Sequence, residues 1–351
     1  MDDLSGLVRR TTGSRLREWW VEPVEHAIRT PSTAGLRRVR GTTADGGEWS
    51  FFVKTLQSVR HWADLAIVPE PYREDFVAGY PWRAEADLYL ADLPLPEGLR
   101  MPRLYLVDEL GDDRVDLWLE DVRTAEAGWD LDRYRDAARL LGRLAALRPS
   151  PRPGLTLRMF VASRVVMGAL PFLQAPATWR HPLVAEHADP RLRGDLDRLA
   201  DRIDELLDAV ERLPQTFAHG DACPQNLLVP ADGPAALVAI DWAWADPVPV
   251  GFDLGQLLVG LAHEGLTEPS ELPLIHAAIE PAYLAGLRVE GYSCDPAALR
   301  LGYVATLVLR SAFTAVPTEL LELEPTPELK ELFRRRVGLA RFLADLLNTF
   351  K

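Results

Sequence analysis

The residues best equipped for chemistry lie between positions 219 and 241. His219-Gly220-Asp221-Ala222-Cys223-Pro224-Gln225-Asn226 runs into the apolar stretch Leu227-Leu228-Val229. A turn at Ala231-Asp232-Gly233-Pro234 follows, then a second apolar stretch from Ala236 to Ile240, then Asp241-Trp242. Two short apolar runs about a glycine-bearing turn predict a hairpin, and that hairpin sets Asn226 opposite residues 239–241. The carboxamide of Asn226 and the carboxylate of Asp241 then converge at its open end. Two hard oxygen ligands suit Mg²⁺, which takes one or two protein oxygens and completes its shell with phosphates and water. Asp221 sits at the same end, before the first strand. A metal site with a carboxylate beside it is what phosphoryl transfer to a hydroxyl requires.

A second signal lies upstream. The chain has 39 lysines and arginines, yet lysine stands only at 54, 330 and 351. A lysine inside the apolar strand Phe51-Phe52-Val53-Lys54-Thr55-Leu56 is therefore conspicuous. Alternation puts Phe52, Lys54 and Leu56 on one face.

Positioning these groups calls for two kinds of structure. Residues 1–122 read mainly as strands: Val24 to Ile28, Leu36 to Thr43, Trp49 to Leu56, Leu104 to Glu109 and Val115 to Leu119. The turn from Arg29 to Gly35 joins the first two, and Ala44-Asp45-Gly46-Gly47 is a hairpin turn. A helical segment from Trp82 to Leu90 interrupts them. Beyond residue 122 the periodicity is helical, with amphipathic segments at Tyr134 to Leu147 and Leu192 to Leu213. From Asp253 the chain is helical to its end, broken at Pro269, Pro281, Pro317 and Pro325. The expected fold class is α+β, with a small antiparallel sheet lobe over residues 1–122 and a larger helical lobe over 123–351.

Bulk properties narrow the function. A formal net charge of −13 offers no field to attract a nucleic-acid backbone. It suits a cationic substrate, and it also serves solubility alone. The two cysteines, Cys223 and Cys294, form neither a metal-ligand spacing nor a disulfide framework, as expected in a reducing cytoplasm. The acidic start Met1-Asp2-Asp3-Leu4 is not a signal peptide. The best apolar run, Tyr303 to Val316, is too short to span a bilayer and contains Arg310. The expectation is a cytoplasmic protein with no membrane or nucleic-acid partner; oligomeric state is left open.

The order H-x-D-x-x-x-x-N, then an Asp after a hairpin, resembles the catalytic and metal-binding loops of kinase-fold enzymes. Gly220, Pro224 and the ending Ile240-Asp241-Trp242 are similar to the aminoglycoside phosphotransferase family in particular. The stretch Pro249-Val250-Gly251-Phe252-Asp253-Leu254 fits that family too. The resemblance implies a bilobal, protein-kinase-like fold and transfer of a nucleotide γ-phosphate to a small-molecule hydroxyl. ATP or GTP would be the donor, with Mg²⁺ as cofactor. Asp221 would orient the hydroxyl and take its proton, while Asn226 and Asp241 would hold Mg²⁺. His219 would be a structural member of the loop, and Asp253 would brace it by accepting backbone N–H bonds. Lys54 would contact the α- and β-phosphates. Its expected partner is Glu85, with Glu74 in reserve. Glu120 and Val122 resemble the linker whose backbone holds the adenine edge.

The chain departs from the kinase pattern at the phosphate-covering loop, for no G-x-G-x-x-G lies between the first two strands. Ser32, Thr33 and Gly35 in the turn offer hydroxyls and backbone N–H groups instead. The acceptor is expected to be a polar hydroxylated molecule such as an aminoglycoside, an amino-sugar or another amine-bearing alcohol. The acidic stretch Glu319 to Glu324 is a solvated helix face or a site for such an amine. A rival reading is a non-catalytic kinase-fold module that binds nucleotide or a metabolite as a regulator. A protein or peptide acceptor ranks lower, because only a short segment separates Asp241 from Asp253.

Overall fold

Alternating apolar side chains along 48–57 and 114–120 build the centre of a five-stranded antiparallel sheet. In chain order its strands are β1 (Leu16–Pro23), β2 (Thr33–Thr43), β3 (Glu48–Gln57), then β5 (Leu104–Gly111) and β6 (Arg114–Glu120), arranged β1-β2-β3-β6-β5. The short β4 (Leu99–Arg100) precedes β5 and belongs to a different sheet. The computed structural model describes residues 2–25, 30–91, 93–126, 128–150, 152–154 and 156–347. Both faces of the five-stranded sheet are covered. Val39, Phe51 and Val53 pack against Leu7 and Val8 of helix α1 (Asp2–Thr12), while Leu56, Leu117 and Leu119 pack on Ala86 of α3 (Ala84–Leu90). Helix α2 (Glu70–Gly79) precedes α3 on the connection from β3. Lys54 pairs with Leu36 on one side and Leu117 on the other, so it sits mid-sheet and 7% exposed.

The remainder is chiefly helical. Helix α4 (Leu131–Leu147) leads through β7 (Pro149–Ser150) to a long helical stretch made of α5 (Thr156–Phe160), a π-helical segment (Val161–Ala169) and α6 (Leu170–Gln174). Helices α7 (Pro176–Arg180), α8 (Pro182–Ala185), α9 (Leu192–Ala200) and α10 (Ile203–Glu211) follow, then β8 (Gln215–Ala218), β9 (Leu227–Leu228), β10 (Leu237–Ala239) and β11 (Asp246–Pro249). The chain closes with α11 (Asp253–His263), α12 (Leu272–Val289), α13 (Pro296–Ser311) and α14 (Pro327–Leu347). One large apolar cluster runs through these helices and takes in Leu93 and Leu99 from upstream. There β4 pairs in parallel with β10, tying the sheet-bearing part to the helical part.

Several expectations shift. The first described strand is β1, ahead of the expected Val24 to Ile28; of that stretch Val24 and Glu25 lie past the end of β1, and the rest lies outside the described residues. As an edge strand, β1 leaves Trp19, Trp20 and Val21 all partly exposed, so it shows no alternation to read. Helices α1 and α2 were not anticipated. The helix expected over 192–213 is two, broken by a turn at 201–202. Pro281 does not break α12, because buried Ile279 and Tyr283 on either side of it anchor the helix in the core. Among the described residues, Leu157–Gln174 is the stretch long and apolar enough to cross a bilayer by length and composition, although it carries Arg158 and Arg164. Tyr303 to Val316 is instead mostly buried core.

Candidate active site

The loop after β8 is held from beneath. At the first position of α11, Asp253 accepts the backbone N–H of His219 and of Gly220, one on each carboxylate oxygen, both at 2.9 Å. Burial pushes its carboxyl up to about 6 even against those two bonds. Gly220 has φ 85°, and a Cβ there would stand 1.9 Å from the carbonyl oxygen of Trp244, so only glycine fits. His219 is fully buried, with Nε2 2.9 Å from the carbonyl of Ile240 and Nδ1 3.2 Å from the backbone N of Asp221. That pattern assigns the proton to Nε2. Burial pushes the imidazole down to about 4, and its ring lies 4.4 Å from that of Trp242. With both nitrogens engaged, the imidazole has no site left for proton transfer.

The hairpin delivers the acidic end. Val238 pairs with Leu228 and Ala239 with Leu227, and the N–H of Ile240 bonds the carbonyl of Asn226 at 2.9 Å. Asn226 and Asp241 are thereby neighbours. The Nδ2 of Asn226 donates to the carbonyl and to Oδ2 of Asp221, at 3.0 and 3.1 Å. This leaves Oδ1 as the Asn226 atom a cation would use. Asp241 has φ 59°, a conformation disfavoured for a non-glycine residue. The oxygen pair Asn226 Oδ1 and Asp241 carboxylate fits a hard divalent ion such as Mg²⁺. Among the described residues no group of three or more His, Cys, Asp or Glu side chains converges as a metal cage. A site of two protein oxygens is the kind Mg²⁺ takes when phosphates complete its shell.

Lys54 reaches this centre from the sheet. Its Nζ lies 2.6 Å from Glu85 and 2.8 Å from Asp241. Burial alone would lower its pKa, but the two carboxylates outweigh it and hold the ammonium above its ordinary value. Glu85 is 2% exposed, and Glu74 is exposed on α2. Asp221 is 28% exposed at its side chain, and burial pushes it up to about 6, with Arg310 pulling the other way.

Arg310 went unrecognised in the sequence, where it figured only as the charge interrupting an apolar run. From α13 its Nη1 donates to the carbonyl of Gly220 at 2.9 Å, and its Nη2 lies 3.9 Å from Asp221. The guanidinium is 4.8 Å from the ring centroids of both Phe160 and Phe252. A cation inside a predicted core helix was the one available signal, since such a charge needs a buried partner.

The remaining expected residues are placed less directly. Ser32 is buried in the β1–β2 turn, where its carbonyl accepts the N–H of Gln57. Thr33 opens β2, its N–H bonded to Thr30 at 3.1 Å, and it is Thr30 that lines the cavity beside Asp221. The carboxylate of Glu120 is taken by Arg100 at 2.6 and 2.8 Å and by the N–H of Arg103, while its own N–H bonds the carbonyl of Arg103. Val122 follows β6, half-buried. Burial and the nearby Asp221 carboxylate raise the Cys223 thiol above its ordinary value, so it is no nucleophile.

The sequence profile of the Phosphotransferase enzyme family (APH) matches residues 52–290. No curated protein matches the chain in sequence. Among solved structures, an aminoglycoside phosphotransferase from Alicyclobacillus acidocaldarius superposes with TM-score 0.50 at 15% identity, covering 95% of this chain and 92% of that one. A Ralstonia eutropha protein named for the same activity gives TM-score 0.51 at 13% identity, covering 99% and 98%. These superpositions establish the bilobal, protein-kinase-like α+β fold.

Proposed function

This chain belongs to the phosphotransferase enzyme family (APH), whose members include small-molecule kinases, and from that premise we propose that it moves the γ-phosphate of a nucleotide, with Mg²⁺, onto a hydroxyl of a small molecule. The observation that carries the proposal is the meeting of two pairs: Lys54 with Asp241 at 2.8 Å, and Asp221 with Asn226 at 3.1 Å. In this reading Lys54, oriented by Glu85, receives the nucleotide phosphates. Asn226 and Asp241 hold Mg²⁺, which when bound neutralises phosphate charge. Asp221 orients the acceptor hydroxyl and takes its proton. A carboxyl pushed up to about 6 is a stronger base than an ordinary one and is still ionised at neutral pH. Asp253, His219 and Arg310 hold that carboxylate in place. The donor is ATP or GTP. Residues 1–122 would carry the nucleotide, with Ser32, Thr33, Glu120 and Val122 around it, and 123–351 the acceptor. Amine-bearing alcohols are the acceptor class that the sequence suggests, and we assign the protein to the cytoplasm.

The test is Asp221→Ala. Turnover should fall by roughly two to four orders of magnitude, while calorimetric affinity for Mg·nucleotide stays. Turnover like that of the wild type would remove Asp221 as the base. The turn at 30–35, which lacks a glycine-rich phosphate loop, favours a second reading, a non-catalytic nucleotide-binding regulator. Slow wild-type nucleotide hydrolysis that vanishes in Asp221→Ala would exclude it.

A further inference from the structure

A cavity of about 840 Å³ opens beside Asp221. That is within the range that encloses a drug-sized ligand, and a simple amino alcohol would leave most of it empty. Its wall is aromatic where the π-helical segment meets the catalytic loop. Phe160 and Phe172 line it with Trp244, and the rings of Phe160 and Trp244 meet edge-on at 6.2 Å.

The charge of the lining is balanced. Arg164, Arg310 and Arg336 stand against Asp221, Glu264 and Glu319, and burial pushes His263 down to about 3, which leaves it neutral. Of the acidic stretch from Glu319 to Glu324, only Glu319 borders the cavity. The arginines differ in how far they are committed. Arg310 is bound to the catalytic loop, and Arg336 donates to the carbonyls of Ala315, His263 and Thr314 at 2.6–2.8 Å. Arg164 is exposed, and its side chain has no hydrogen bond or ion pair among the described residues. A polycation entering here would find no net negative charge on the lining and would meet the Arg164 guanidinium.

Resting on the phosphotransferase reading above, we infer that the acceptor is a large hydroxylated compound of low net charge, with an apolar or aromatic face against Phe160, Phe172 and Trp244 and an anionic or hydrogen-bond-accepting group held by Arg164. The acidic run outside the cavity then has no part in recognition, and the amine-rich acceptors suggested by the sequence rank below uncharged and anionic ones.

The probe is 8-anilinonaphthalene-1-sulfonate, an aromatic anion, titrated by fluorescence into wild-type protein, Arg164→Glu and Phe172→Asp. Both positions are exposed, so both variants should keep the wild-type melting temperature and Mg·nucleotide affinity. The expected result is saturable binding that each substitution weakens by about tenfold, with no displacement by millimolar kanamycin, a polycationic aminoglycoside. Unchanged affinity in both variants, or displacement by micromolar kanamycin, would overturn the inference. The titration needs no turnover. If the same preparations bind no Mg·nucleotide in calorimetry, the phosphotransferase reading fails while the binding result still stands or falls alone.

Discussion

On one side of the cavity, no buried side-chain nitrogen or oxygen between His219 and Asp253 lacks a partner, whereas on the other side Leu157–Gln174 leaves the Arg164 side chain without a partner among the described residues and Phe172 58% exposed. The loop is over-determined: Asp253 ties down two backbone N–H groups, His219 spends both ring nitrogens, and Arg310 caps the Gly220 carbonyl. The facing wall is wound as a π-helix over nine residues, a rare geometry that recurs at functional sites. Phosphoryl transfer depends on placement to a fraction of an ångström, and the rigid side is the one that carries the proposed catalytic residues. Acceptor choice depends on shape and charge, which the exposed face of this wall can vary without disturbing that placement.

Substitutions should separate the two sides by size of effect. Asp253→Ala leaves two buried N–H groups unpaired and should destabilise by about 4 kcal/mol; a melting curve like that of the wild type would show that the loop does not need its brace. Gly220→Ala combines a left-handed backbone with a clash against Trp244 and should cost about 3 kcal/mol, read by chemical denaturation. A loss below about 0.5 kcal/mol would mean that the loop can shift, and the contrast in rigidity would be lost.

Acidification offers a subtler probe. His219 titrates near 4 in the folded chain and at about 6.5 when unfolded. The unfolded state therefore binds the proton first, and stability is lost as pH falls from 6.5 toward 4. Asp221 and Asp253, raised to about 6, act in the opposite sense, since the folded state protonates them first. Comparing wild type with His219→Gln isolates the histidine: the stability difference between them should shrink by about 2 kcal/mol from pH 7 to 4.5. A difference independent of pH would mean that His219 is not buried in its neutral form. The smallest effect belongs to the wall. Met167→Gln, at a residue 70% exposed, should change stability by no more than about 0.5 kcal/mol. A large loss there would show that the wall is packed against something after all.

The two sides were also unequally legible in the sequence. The loop could be read because its parts are close in the chain: a glycine-bearing turn between two apolar runs dictates which residues face each other, and the N–H of Ile240 bonds the carbonyl of Asn226 as that local rule requires. The β3 lysine showed itself by being one of three, and its glutamate by lying on the helical segment between strands. Strand β1 was missed because an edge strand with half-exposed tryptophans carries no period-two signal. Helix α12 keeps Pro281 because burial outweighs propensity. Arg310 could not be matched with Asp221, since the two are 89 positions apart and no local pattern links them.

By itself, then, the sequence determined the candidate site groups and the order in which they follow one another, because hairpin register and strand alternation are short-range rules. The folded chain alone decided what surrounds them: which arginine reaches the loop, which carboxylates border the cavity, and that its charges balance. Those outcomes depend on how helices far apart in the chain pack together, and packing is a long-range property that no local spacing encodes.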